Sequence, residues 1–150
     1  MTTIKFHQEW DYRAGDDDHG LHIVVRLFPP GGPELTVNAL LDTGAEHSIF
    51  DMDLLADLGI TKVTAVPPED ITWVLAANES DENNKVPAYV HHITMEWLGY
   101  RMTVPVAFVP SWPAGISNLV GMRGVFENLI VGVNHRQRLV LARSADPSVR

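Results

Sequence analysis

The 150-residue chain contains no cysteine. A disulfide framework, a thiolate metal centre and a cysteine nucleophile are therefore excluded. Basic charge is scarce: 11 lysines and arginines face 19 aspartates and glutamates, giving a formal net charge of -8. Such a surface argues against a nucleic-acid partner, whose backbone requires a basic face. No apolar run approaches the roughly 20 residues of a membrane-spanning helix, and the opening "MTTIKFHQEWDYR" lacks the apolar stretch of a signal peptide. These absences lead us to expect a soluble, cytoplasmic protein with no membrane partner. Neither a glycine-rich phosphate loop nor a GxSxG elbow occurs. Glycine is missing throughout residues 60–98, so any turn there must be built from other residues.

What is present is enough for one packed domain, since 45% of the residues are hydrophobic. A possible short strand, "TIKF", precedes the polar loop "DYRAGDDDHG". "LHIVVRLF" and "ELTVNALL" read as strands, joined through "PPGGP", whose prolines and glycines cannot continue a ladder. "DMDLLADLGI" has the marks of a short helix, with Asp51 as cap, Leu54, Leu55 and Leu58 on one face, and Gly59 as stop. "ITWVLAA", "KVPAYVHHITMEW", "YRMTVPVAFVP", "LIVGV" and "RLVLA" read as further strands, and "MRGVFENL" as a second helix. Arg136 and Arg138 fall in "NHRQR", a turn between the last two strands. Many short strands with little helix predict an all-β, barrel-like fold. The expected division is an N-terminal strand and acidic loop over 1–20, the main domain over 21–143, and a flexible tail over 144–150.

One turn stands apart. "NALLDTGAEHSIF" carries Asp42 out of an apolar strand and into a Thr43-Gly44 turn. Asp, Thr and Gly are ordinary turn formers, so alone the match is weak. A second signal is "NLVGMRG", in which Leu119, Val120 and Gly121 enter a helical-looking segment. With these two motifs the chain resembles the retropepsin-like aspartic protease family, of the single-domain bacterial type, over about Ile23 to Ala142. The order agrees as well: strand, DTGA, short helix ending in "LG", hairpin, strands, "LVG", helix, final strand.

The resemblance implies a closed acid-protease β-barrel with one or two short helices and half an active site per chain. It implies an aspartic endopeptidase with Asp42 as the catalytic residue. The chemistry requires two carboxylates sharing one proton, because like charges about 3 Å apart cannot both ionise. One activates a water as general base while the other polarises the scissile carbonyl. A chain with a single Asp loop must therefore pair with a second copy about a two-fold axis, and the family implies the same homodimer acting on a peptide or protein substrate. By similarity, Thr43 and Gly44 form the loop contact across that axis, and Ala45 and Glu46 hold the substrate main chain. A surface acid paired with a nearby arginine is the plainer reading of Glu46. Leu119, Val120 and Gly121 pack behind the loop.

The family's flap, a β-hairpin over the cleft, corresponds to Ile71–Tyr89 with its tip near Asn78–Asn84. Trp73 and Leu75 share one face of its first arm and are candidate substrate contacts, although a core position suits a lone strand Trp slightly better. Two departures from the family pattern stand out: the tip "NESDENN" is acidic and glycine-free, and Met122 occupies a position where many relatives carry arginine. Arg123, one residue later, is the candidate to take over that pairing with the loop. His47 reads as an exposed histidine. His91 and His92, adjacent in a strand, point to opposite faces and suit no shared metal. Asp16-Asp17-Asp18 lacks the ligand spacing of a calcium loop, so no metal and no cofactor is expected. Two other readings stay open: a weakly active or non-catalytic peptide-binding or assembly module on the same fold, and a monomer in which Asp42 is only a turn acid.

Overall fold

The computed structural model describes residues 8–11, 21–75, 85–109, 118–134, 136–137 and 139–146. Within them the strands are β1 (Gln8–Asp11), β2 (Leu21–Leu27), β3 (Leu35–Leu41), β4 (Ser48–Phe50), β5 (Ile71–Leu75), β6 (Lys85–Trp97), β7 (Tyr100–Phe108), β8 (Asn118–Val120), β9 (Leu129–Asn134) and β10 (Leu139–Ser144). A one-turn helix, α1 (Leu54–Asp57), and a 3-10 turn at Pro68–Asp70 complete the regular structure. The strand expected at "TIKF", the loop "SWPAGIS" and the hairpin tip "NESDENN" lie outside the described residues.

Strict alternation builds the barrel wall. Ile23, Val25 and Leu27 of β2 and Val37, Ala39 and Leu41 of β3 are buried, while Val24, Arg26, Thr36 and Asn38 between them are exposed. This period of two turns one face of each strand to a common core. The large sheet runs β2-β3-β8-β4-β7-β6-β5, and β6 pairs back onto β2 through Arg26↔Glu96 and Leu27↔Met95. Six strands therefore close into a barrel, and β5 extends outside it on β6. The second sheet, β1-β10-β9, contributes Leu129, Val140 and Ala142 to the same core.

The wall has two apolar faces where β4, β6 and β7 meet. Phe50, Val106 and Phe108 point into the main core, while Ile49, Ala88, Val90 and Ala107 form a smaller cluster on the other side with Leu119. β6 and β7 join through Leu98 (φ 53) and Gly99 (φ 80). Positive φ at both turn residues matches the twist of an antiparallel pair, and the strain at Leu98 accompanies burial of its side chain in the core.

Two helical details differ from the sequence expectation. Helix α1 starts at Leu54 with Asp53 at the cap position, and the Asp51 carboxylate accepts the Asp53 N–H at 3.0 Å one step earlier. Residues 122–128, expected to be helical, form successive turns instead. Gly124 sits at φ 78, which no right-handed helix can contain, so Phe126→Met122 and Leu129→Val125 backbone bonds close as separate turns.

Candidate active site

The feature that positions Asp42 is the order of the strands beneath it. β3 and β4 are consecutive in sequence, yet they are not neighbours: β8 lies between them, parallel to β3 and antiparallel to β4. The chain must therefore bridge over the end of β8, and residues 42–47 are that bridge. Asp42 is the first residue beyond β3, and its N–H donates to the Val120 carbonyl at 3.0 Å.

The bridge is a tight turn. Ala45 N–H donates to the Asp42 carbonyl at 3.3 Å, and Gly44 N–H donates to Asp42 Oδ1 at 2.8 Å. The second bond orients the carboxylate. A Cβ on Gly44 would come within 3.1 Å of that same oxygen, tighter than an ordinary contact. Asp42 is half-buried, whereas Thr43, Gly44 and Glu46 are exposed and Ala45 is half-buried. The loop thus presents one oriented carboxylate on an open face.

From behind, the loop is held by residues 121–123. Met122 N–H donates to the Ala45 carbonyl at 2.9 Å, and Arg123 N–H to the Glu46 carbonyl at 2.8 Å. Gly121 N–H donates at 3.2 Å to the Oγ of Ser48, which is completely buried. Gly121 lies so close to the loop that a Cβ would meet the Ala45 carbonyl oxygen at 2.8 Å. Val120 fills the main core and Leu119 the smaller cluster, so alternate side chains of β8 lock it on both faces. Asn118 ties the ends of the neighbouring strands: its Nδ2 donates to the Asn38 carbonyl at 3.2 Å, and its Oδ1 accepts Asp51 N–H at 2.7 Å.

No family model matches this chain, and no curated protein does. Its fold does match a solved structure, a retropepsin-like aspartic protease from Rickettsia conorii. That match has a TM-score of 0.58 and 16% identity, and covers 95% of this chain and 98% of the other. The fold is retropepsin-like. A mostly β chain with a closed six-stranded barrel is thus the observed architecture.

On this retropepsin-like barrel the remaining sequence candidates fall in different places. β5 and β6 pair antiparallel from Ile71↔Tyr89 to Leu75↔Lys85, forming the two arms of the expected hairpin. Trp73 is 62% exposed, so the core position that slightly suited it is not the one it takes. The Leu75 side chain lies outside what is described. His91 turns inward, with Nε2 2.8 Å from the Val63 carbonyl and its ring edge-on to Phe108, while His92 is exposed. Among the described residues no three His, Asp or Glu side chains gather as a metal site.

Three positions were passed over or misjudged in the sequence. Ser48, in "SIF", is the one buried polar residue of the described core, and a hydroxyl directly before the apolar pair Ile49-Phe50 was the available signal. Asn118 sits at the start of "NLVG", masked by its apolar neighbours. His47 is half-buried rather than exposed, with Nε2 3.1 Å from Arg123 Nη1. Arg123 also approaches Glu46 at 3.9 Å, where both side chains are more than half exposed. This exposed ion pair contributes little stability, but the guanidinium does reach the Asp loop.

Burial lowers the His47 pKa from 6.5, and the Arg123 charge lowers it further, while Glu46 opposes them. The neutral ring is therefore the form the fold favours. Its contribution to stability is complete above pH 6.5 and is lost as pH falls through the lowered folded value.

Proposed function

We propose that the chain is one half of an aspartic endopeptidase that acts as a homodimer, with Asp42 of each copy forming the catalytic pair. The observation that carries this reading is the Asp42 loop. It bridges over β8, its carboxylate is oriented by Gly44 N–H, and Thr43 and Gly44 are exposed beside it. A turn acid with no further duty needs no such support from behind. The retropepsin-like fold raises the same expectation, as analogy.

In this mechanism the two Asp42 carboxylates share one proton. One draws a proton from a bound water, which attacks the scissile carbonyl, and the other donates to the carbonyl oxygen. Thr43 and Gly44 meet their copies across the two-fold axis. Ala45 leaves room for an extended main chain, and Glu46 accepts one of its N–H groups. The β5–β6 hairpin covers the substrate as a flap, with Trp73 and Leu75 toward it. The substrate is a peptide or protein, and the setting is cytoplasmic.

The test is a peptide library assayed with wild type and Asp42→Asn, with and without a statine-type inhibitor, beside sedimentation over a range of concentrations. Cleavage lost in Asp42→Asn and blocked by the inhibitor, in a species that dimerises, is the expected result. Cleavage that survives Asp42→Asn refutes it. The acidic, glycine-free sequence of residues 78–84 favours one competing reading, a peptide-binding or assembly module with little turnover. A dimer that binds peptides without cutting them at any pH would select that reading. A chain that stays monomeric at high concentration would leave Asp42 a turn acid.

A further inference from the structure

The half-buried histidine beside the Asp loop is used by none of the chemistry above. An arginine guanidinium has only N–H donors and does not lose its proton in proteins. With Arg123 Nη1 3.1 Å from His47 Nε2, that ring nitrogen must be the acceptor. The ring is therefore neutral and carries its proton on Nδ1. We infer that His47 and Arg123 form a positioning pair for the Asp42 loop, held only while His47 is neutral, so that one proton on His47 releases the loop and sets an acid limit on the site.

The geometry makes this coupling short. His47 is the fifth residue after Asp42 and directly precedes Ser48, whose Oγ receives Gly121 N–H. Arg123 follows Gly121 and Met122, and its own N–H is bonded to the Glu46 carbonyl. The side-chain contact thus closes a ladder whose other rungs are Met122→Ala45 and Arg123→Glu46. A proton on Nε2 turns an acceptor into a donor facing a cation, and the rung becomes a repulsion. The charged groups facing the ring are Arg123, from the segment packed behind the loop, and Glu46, from the loop itself. Glu46 favours protonation more strongly than Arg123 opposes it, solvent screens both exposed side chains, and burial of the ring is the largest influence holding it neutral. The lowered pKa of His47 agrees in direction with a ring held neutral by its surroundings.

The activity part of this inference rests on the peptidase reading, and the structural part does not. The test therefore begins with an NMR titration of the His47 ring, following the Met122, Arg123 and Gly44 amides in the same samples. In wild type the ring should titrate below its ordinary value, and the three amides should shift with the same midpoint. Arg123→Gln should move the ring midpoint upward. His47→Gln, whose side-chain oxygen keeps an acceptor for Arg123, should remove the shared transition from the amides. An unmoved midpoint in Arg123→Gln, or amides that ignore the ring, overturns the pair. In the peptidase assay, His47→Gln should shift the acid limb of kcat/KM to lower pH. His47→Lys, charged throughout, should lose activity across the range. A limb that stays in place in His47→Gln, in an enzyme that cleaves, overturns the control of the site. Absence of cleavage by wild type at every pH removes the peptidase reading instead, and the ring titration still decides the pair.

Discussion

Replacing Gly121 by alanine should unseat the Asp42 loop, and the structure gives the size of the effect. The added Cβ would stand 2.5 Å from the His47 carbonyl carbon, so about 0.9 Å of backbone movement is needed to restore an ordinary 3.4 Å contact. The obstacle is main chain, which cannot swing aside as a side-chain tip can. Moving the loop by that amount stretches Met122→Ala45 and Arg123→Glu46, now 2.9 and 2.8 Å, beyond hydrogen-bonding range. Overpacking of this kind costs about 1–3 kcal/mol, and two lost bonds add about 1 kcal/mol each. The expected destabilisation is therefore roughly 3–5 kcal/mol, or a fall in Tm of about 6–20 °C for a domain of this size. Urea and thermal denaturation at fixed protein concentration measure it, because dimerisation would otherwise enter the apparent stability. Gly59→Ala is the internal control. It places a Cβ in open space at φ 72, so it carries only the left-handed backbone cost of about 1–2 kcal/mol. If Gly121→Ala costs no more than Gly59→Ala, the close approach of the two segments is not what holds the loop.

Two further substitutions probe the frame and the hairpin separately. Ser48→Ala leaves the Gly121 N–H buried without its acceptor and should cost about 1–3 kcal/mol in urea denaturation. A loss under about 0.5 kcal/mol would mean that the amide finds another partner. Trp73→Ala should change stability by no more than about 0.5 kcal/mol, because the side chain is 62% exposed. If the hairpin covers the cleft, the same substitution raises KM for peptides. An unchanged KM would remove Trp73 from the substrate's surroundings.

Which features were legible in the sequence follows from the range of the interactions that create them. β2, β3, β6, β7, β9 and β10 announce themselves because apolar alternation, or apolar runs ended by glycine, proline and polar turns, is a local signal. β4 is invisible at three residues: "SIF" becomes a strand only because β7 and β8 lie on either side of it. The turn at Asp42 was legible because DTGA and LVG, one copy of each, follow an apolar strand and one another in that order along the chain. Ser48, Asn118 and His47 were not, since each acts on a partner about 70 residues or more away in the chain. Residues 122–128 misled because their apolar spacing suits a helix, while the deciding fact is the space at Gly124. A Cβ there would meet Pro105 Cδ at 2.7 Å, so packing against β7 and the turn conformation both demand glycine.

The Asp loop is supported asymmetrically, and that asymmetry bears on its chemistry. Val120, Gly121, Met122 and Arg123 each direct a backbone group at residues 42–48: a carbonyl to Asp42, and amides to Ser48, Ala45 and Glu46. Four consecutive residues thus face one loop from behind, with Asn118 bracing the strands that carry it. On its open side the loop exposes Thr43, Gly44 and Glu46. A reacting carboxylate must be held within a fraction of an ångström, so in the proposed peptidase the fixed back would supply that restraint. It cannot supply the second carboxylate, because β8 occupies the space behind. Under the proposed mechanism the second carboxylate would therefore arrive on the open side, where a second copy of the same loop fits the symmetry that one shared proton requires.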